Sequence, residues 1–337
     1  MKHFFLALIL TTQFLSAESS KDLKADYFTT ISPYYYAHKL QHFKSFDKLN
    51  IAYKIFKVKN AKANLVLSSG RTEGMLKYQE LIYDFNQAGY SVYILDHRGQ
   101  GNSERLLKDS QIGHVKKFEN YVKDLHQFVE KYVPKDKKRI LIGHSMGGAI
   151  ASLYAETYQK DFDGLILSSP MHQPLLVGER LNTLACELIE KRKRDIDRYV
   201  VGQGSYDDSI VPFEENILTH SKLRYEITKI AFDIEPETKI GGPSVRWVGE
   251  ACRASQKSVD NASSITISTL LLQAQDDKIV SLQAQDKFCK NMKNLCEKKE
   301  IKSAYHELFV EKDEIRDLVL SEMFHFIKNI RLVKSTI

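Results

Sequence analysis

Beyond its first twenty residues, this 337-residue chain has no apolar run that reaches the roughly 20 residues a membrane-spanning helix needs, so no such helix is expected there. No Cys and His residues fall at zinc-binding spacing and no phosphate-cradling P-loop occurs. The glycine-rich pieces GQG and IGGP lack the following helix of a dinucleotide site, so no metal and no cofactor is expected. Nucleic-acid motifs are missing too, and the formal charge is only +6, which argues against a nucleic-acid partner. There are no internal repeats and no low-complexity linkers. At 43% hydrophobic and 27% charged residues, one elaborated globular domain is the simplest count.

What is present begins with MKHFFLALILTTQFLSAESS. Lys2, the apolar run from Phe4 and the small residue Ala17 before Glu18 read as a secretory signal peptide over residues 1–17, implying export to the periplasm or cell exterior. No cysteine follows Ala17, which disfavours a lipoprotein anchor. Without residues 1–17 the chain keeps 48 basic against 43 acidic residues, a charge of +5, mild enough only to favour anionic surfaces. Four cysteines, Cys186, Cys252, Cys289 and Cys296, can pair in an exported chain. Only Cys289 and Cys296, seven residues apart, look locally closable, and burial of all four as free thiols is the competing reading.

Short apolar runs without strict alternation recur as ANLVLSSG, SVYILDHRG, RILIGHS, FDGLILSSP and ISTLLLQAQ, as expected of strands covered on both faces. Helical stripes lie between them. Phe118, Val122, Leu125, Val129 and Val133 form one, and Ile315, Leu318, Val319, Phe326, Ile327 and Ile330 another. The alternation predicts a mainly parallel, doubly wound α/β sheet, with core segments at 38–175 and 256–337. Between them, residues 176–255 carry no strand run and predict an inserted helical cap. There Leu181, Leu184, Ala185, Leu188 and Ile189 form an amphipathic stripe suited to an acyl chain, ending in the charge run Lys191, Arg192, Lys193 and Arg194. That run is either a solvated helix end or a site of peripheral contact with an anionic membrane.

Gly143-His144-Ser145-Met146-Gly147 fits G-x-S-x-G, a strained strand-to-helix turn that lifts a serine hydroxyl to the carboxyl edge of the sheet. The Met146 amide then sits at a helix N-terminus, placed to stabilise an oxyanion. Such a serine needs a base, and the base an orienting carboxylate, in the chain order serine, acid, histidine. ISTLLLQAQDDKIV ends in two competing acids, Asp276 and Asp277. His306 follows a last strand and precedes the last helix, where the base belongs, whereas His325, His144 and His97 are placed elsewhere. The second oxyanion donor is expected from the loop after ANLVLSSG, as the Arg71 backbone amide. The Arg71 side chain is expected to pair with Glu73, the alternative being a phosphate.

Over about residues 40–330 the chain resembles the α/β-hydrolases of the monoacylglycerol-lipase and bacterial lysophospholipase group. GHSMGG, DHRGQGNS from Asp96 to Ser103, and AYHELFVEKDEIRDLVL around His306 carry the likeness. The resemblance implies Ser145 as nucleophile, His306 as base and Asp277 as acid, the group's acid standing three residues after the position of Ala274. The loop Ser69, Gly70, Arg71, Thr72, Glu73 and the cap pieces RYVVGQGSYDD, PFEENILTHSKLRYE and GGPSVRWVGEACRA are closer to the bacterial lysophospholipases. The implied activity is hydrolysis of the fatty acyl ester of a single-chain lipid such as a lysophospholipid, with a monoacylglycerol lipase or general carboxylesterase as the alternative.

Overall fold

The computed structural model describes residues 23–192, 194–207 and 212–330, so the expected leader and Lys193 lie outside the described residues. Eight strands, β1 (Gln41–Lys44), β2 (Asn50–Phe56), β3 (Asn64–Ser68), β4 (Ser91–Leu95), β5 (Arg139–His144), β6 (Gly164–Ser168), β7 (Ser268–Ala274) and β8 (Cys296–Ile301), form one sheet in the order β1-β2-β4-β3-β5-β6-β7-β8. From β4 to β8 every pairing is parallel, while β1 and β2 join antiparallel at one edge. The helices are α1 (Leu23–Asp26), α2 (Ser32–Ala37), α3 (Gln79–Gln87), α4 (Glu119–Tyr132), α5 (Met146–Thr157), α6 (Glu179–Glu190), α7 (Lys222–Ile234), α8 (Val245–Asp260), α9 (Leu282–Met292) and α10 (Asp313–Asn329).

The unbroken apolar runs are explained by burial on both faces. Val66, Leu141, Leu165 and Leu271 point to one side, where they pack with side chains of α4, α5, α8 and α9. Their neighbours Leu65, Leu67, Ile140, Ile142, Ile166 and Leu270 point to the other, against α3 and α10. Each such side chain contributes about 1.5–3 kcal/mol of transfer free energy, so register is strongly specified. The five runs quoted from the sequence hold β3, β4, β5, β6 and β7. β8, with the sequence CEKKEI, is a half-exposed edge whose charges hide it from a hydrophobicity search. On α10 the periodicity misleads at Leu318, which is exposed, while Leu320 and Met323 are buried.

Between β6 and β7 lie α6, α7 and α8. Serine caps start two of them: Ser221 Oγ accepts from the Arg224 amide at 3.3 Å and Ser244 Oγ from the Trp247 amide at 3.0 Å. The expected boundary at residue 255 falls inside α8, which runs on to Asp260 and is buried against the same core as α5 and α9. Residues 23–37, left out of the core by the sequence reading, pack Leu23, Tyr27 and Ile31 against Ile227 of α7.

The α6 stripe is divided between solvent and core, with Ile189 packed inward. Leu181, Leu184 and Leu188 are 62%, 54% and 62% exposed, and the face turned inward carries Asn182 and Cys186. Polar satisfaction and a covalent bond decide the rotation of this helix. Asn182 Oδ1 accepts from the Leu176 amide at 2.7 Å and its Nδ2 donates to Pro174 O at 2.6 Å. Cys186 is bonded to Cys252 of α8, 66 residues away, with a Cα separation of 5.6 Å. The second disulfide, Cys289–Cys296, is the pairing the seven-residue spacing suggested.

Candidate active site

β5 runs straight into α5 through Ser145, whose φ of 52° and ψ of −119° place a non-glycine residue in a sparsely populated conformation. Such strain costs on the order of 1–3 kcal/mol and persists only where the surroundings enforce it. Here a Cβ at Gly147 would fall onto the Ser68 carbonyl of β3, and one at Gly143 would stand 2.5 Å from the Gly147 oxygen. The Ser145 amide donates to Ser168 O at 3.1 Å, and its carbonyl accepts from the Met171 amide at 2.9 Å. Both neighbours of the turn are thereby fixed.

His306, on the loop after β8, places Nε2 at 2.9 Å from Ser145 Oγ and Nδ1 at 2.7 Å from Asp277 Oδ2. Asp277 Oδ1 accepts from the Ile279 and Val280 amides at 2.8 and 3.2 Å. A carboxylate only accepts, so Nδ1 carries the proton and Nε2 is left to receive the one on Oγ. Of the competing acids, Asp276 is exposed, and its amide is held by Ala304 O at 3.0 Å. Two of the other candidate histidines bond elsewhere. His325 is exposed on α10 and accepts from Asn329. His97 is buried against Ser68 Oγ at 2.9 Å, and burial pulls its pKa down to about 3.

The oxyanion candidates lie on the two loops that meet at the turn. The amides of Gly70 and Thr72 are taken by Glu73 Oε2 at 2.6 Å and Gln100 Oε1 at 3.3 Å. The Arg71 amide between them has no acceptor among the described residues. Met146, as the first residue of α5, has no helix carbonyl behind it to receive its N–H. Two free amides beside a poised hydroxyl can stabilise the negative charge of a tetrahedral intermediate.

The Arg71 side chain does not pair with Glu73, contrary to expectation. Glu73 is buried and already engaged by the Gly70 amide, Tyr78 Oη at 2.6 Å and Lys77 Nζ at 3.1 Å. Burial opposes its ionisation, but the charge of Lys77, then that of His144, with the hydrogen bonds from Tyr78 and the Gly70 amide, together outweigh it and hold its pKa at about 2. Lys77 also bonds Glu307, the residue after His306, so a buried ion pair network underlies the base. Sequence reasoning missed this network. Its signal was the Glu73/Lys77 spacing of i, i+4. His144, within the turn motif, points away from the hydroxyl with Nδ1 3.1 Å from Ser168 O, and burial, set against the attraction of Glu73, leaves its pKa lowered to about 4. Glu311, also missed, is fully buried and accepts from the Tyr305 amide at 2.9 Å and His220 Nδ1 at 2.9 Å, tying the His306 loop to the cap.

An eight-stranded, mostly parallel sheet with a serine on the turn after β5, facing a histidine that is itself bonded to an aspartate, defines a serine hydrolase of the α/β-hydrolase fold. The chain belongs to the Hydrolase_4 family, described as serine aminopeptidase, S33, which it matches over residues 59–313. It is 34% identical over 297 residues to lysophospholipase L2 of Escherichia coli, covering 84% of this chain and 86% of that one. To the probable lysophospholipase L2 of Haemophilus influenzae it is 33% identical over 300 residues, 88% and 94% of the two chains. Among solved structures, a soluble variant of the Saccharomyces cerevisiae monoglyceride lipase superposes with a TM-score of 0.70 at 21% identity, covering 88% of this chain and 96% of the other.

Proposed function

We propose that this protein hydrolyses the fatty acyl ester of lysophospholipids. Ser145 Oγ attacks the acyl carbonyl while His306 Nε2 takes its proton, and Asp277 holds the resulting imidazolium. The Met146 and Arg71 amides receive the oxyanion. His306 returns the proton to the departing glycerol oxygen, leaving an acyl ester on Ser145. Water, deprotonated by the same histidine, then releases the fatty acid and the serine. The observation that carries the substrate class is the identity of 33–34% to proteins named as lysophospholipases, over 84–88% of this chain and so through the cap as well as the core. The test is fatty-acid release from lysophospholipids, monoacylglycerols and short soluble esters. Faster turnover of monoacylglycerol than of lysophospholipid would replace this reading by the monoacylglycerol-lipase alternative.

Export and contact with an anionic membrane belong to the same proposal. The leader-like residues 1–17 and the two disulfides support an oxidising compartment. The outward ridge of Leu181, Leu184 and Leu188, followed by Lys191, Arg192 and Arg194, supports peripheral docking. Each basic residue near an anionic surface adds about 1 kcal/mol of attraction. Sedimentation with anionic vesicles, compared between the protein and a triple Leu→Ser variant of the ridge, tests the docking. Equal binding of the two would end it.

A further inference from the structure

A cavity of about 390 Å³ opens between the Arg71 loop, the cap and Glu307, the residue next to the base His306. Its acidic and basic groups largely cancel one another. Lys77 stands between Glu73 and Glu307, and Asp207 and Lys229 have partners of their own. Arg71 is the exception. Among the described residues it meets no carboxylate, and of the five N–H bonds of a guanidinium only one finds a protein acceptor, Nη1 donating to Gly241 O at 3.2 Å. The Trp247 ring, 5.5 Å from Cζ, supports the group from one side, and Trp247 is itself fixed by donating Nε1–H to Tyr121 Oη at 3.1 Å. A planar, braced cation with unused donors turned into a cavity matches the oxygens of a phosphate. Because the backbone amide of the same residue is the oxyanion candidate, that phosphate would lie within one side chain's reach of the reacting ester.

Resting on the lysophospholipase reading, we infer that the Arg71 guanidinium binds the phosphodiester of the lipid substrate and so sets its preference for phospholipid over neutral lipid. The readout is the ratio of kcat/KM on lysophosphatidylglycerol to that on a monoacylglycerol of the same chain, in which any common loss at the oxyanion site cancels. R71Q should lower this ratio about 10- to 100-fold, the range for losing one charge-assisted contact. R71K, which keeps the charge without the fork, should lower it less. An unchanged ratio, including equal loss on both lipids, overturns the inference while leaving the lysophospholipase reading intact. The same contact is probed on the unaltered protein with a lysophosphatidylglycerol whose phosphate is methylated to an uncharged triester. Its kcat/KM should fall to near the monoacylglycerol value, and full retention overturns the inference. Competition of inorganic phosphate against a short ester, together with an unchanged lipid ratio in R71Q, would mean a free-anion site and overturn the lipid assignment. No release of fatty acid from lysophosphatidylglycerol by the unaltered protein would overturn both readings.

Discussion

Two helices that follow strands of the same sheet, α5 and α6, are held in different ways. α5 begins at Ser145 in a turn where glycine, backbone hydrogen bonds and β3 leave no freedom, and it is buried along most of its length. α6 rests on the core through Asn182 and Cys186 and turns Leu181, Leu184 and Leu188 outward. The first arrangement holds the Ser145 hydroxyl 2.9 Å from its base. The second leaves an apolar surface available to whatever the enzyme meets. Placement of the reacting groups therefore rests on the tightly packed region, where glycine and backbone hydrogen bonds fix the turn.

Breaking the packed region should have the larger effects. Ser145→Ala is expected to fold normally and to lower kcat about a millionfold on every ester, since removing a triad nucleophile typically costs that much. Persistent labelling of the variant by a fluorophosphonate probe would show another nucleophile. Asp277→Asn should lower kcat about 10⁴-fold by presenting His306 in the wrong tautomer, whereas Asp276→Asn, at an exposed site, should change it little. Steady-state kinetics of the pair decides between them, and a reversed order would shift the acid by one residue.

Opening the tether of the loosely held region should act on stability instead. Cys186→Ser with Cys252→Ser frees a loop of 66 residues, worth about 4 kcal/mol by chain entropy, against about 2 kcal/mol for the short Cys289–Cys296 loop. Denaturant midpoints of the two double variants measure the difference, and two equal losses would contradict it.

Within any single pH unit the smallest effect expected is electrostatic. The pKa of His144 falls from its ordinary value to about 4 on folding, chiefly through burial. Its contribution to stability is therefore complete above pH 6.5 and is lost as the pH falls from there toward 4. The slope is at most about 1.4 kcal/mol per pH unit for this group. His144→Gln removes the titration, so its melting temperature should fall less steeply between pH 6.5 and 4 than that of the unaltered protein. Parallel curves would mean that another group dominates the acid limb.

The distinction between the two regions also governs what could be read in advance. G-x-S-x-G between an apolar run and a helical stripe is a local signal, because the turn that raises Ser145 is made by residues within a few positions of it. The runs holding β3 to β7 were legible for a similar reason: burial on both faces leaves their central positions to apolar residues. The orientation of the α6 stripe stayed open, because a hydrophobic periodicity reports a face without saying what lies opposite. Asn182 and Cys186, buried by partners at Pro174 and Cys252, carry no such periodicity.

From the chain alone came the α/β order, the nucleophilic turn, the base and two candidate acids, of which the family resemblance implied Asp277; the first three are carried by contacts between near neighbours or by patterns that each strand must satisfy separately. Folding decided which of Asp276 and Asp277 is turned inward, because one residue along the loop after β7 separates an exposed carboxylate from one bonded to His306. It also decided that Glu73 joins Lys77 and leaves Arg71 facing a cavity. Those outcomes depend on which groups, distant in sequence, compete for the same partner. That competition is settled only once the sheet has brought them within hydrogen-bonding distance.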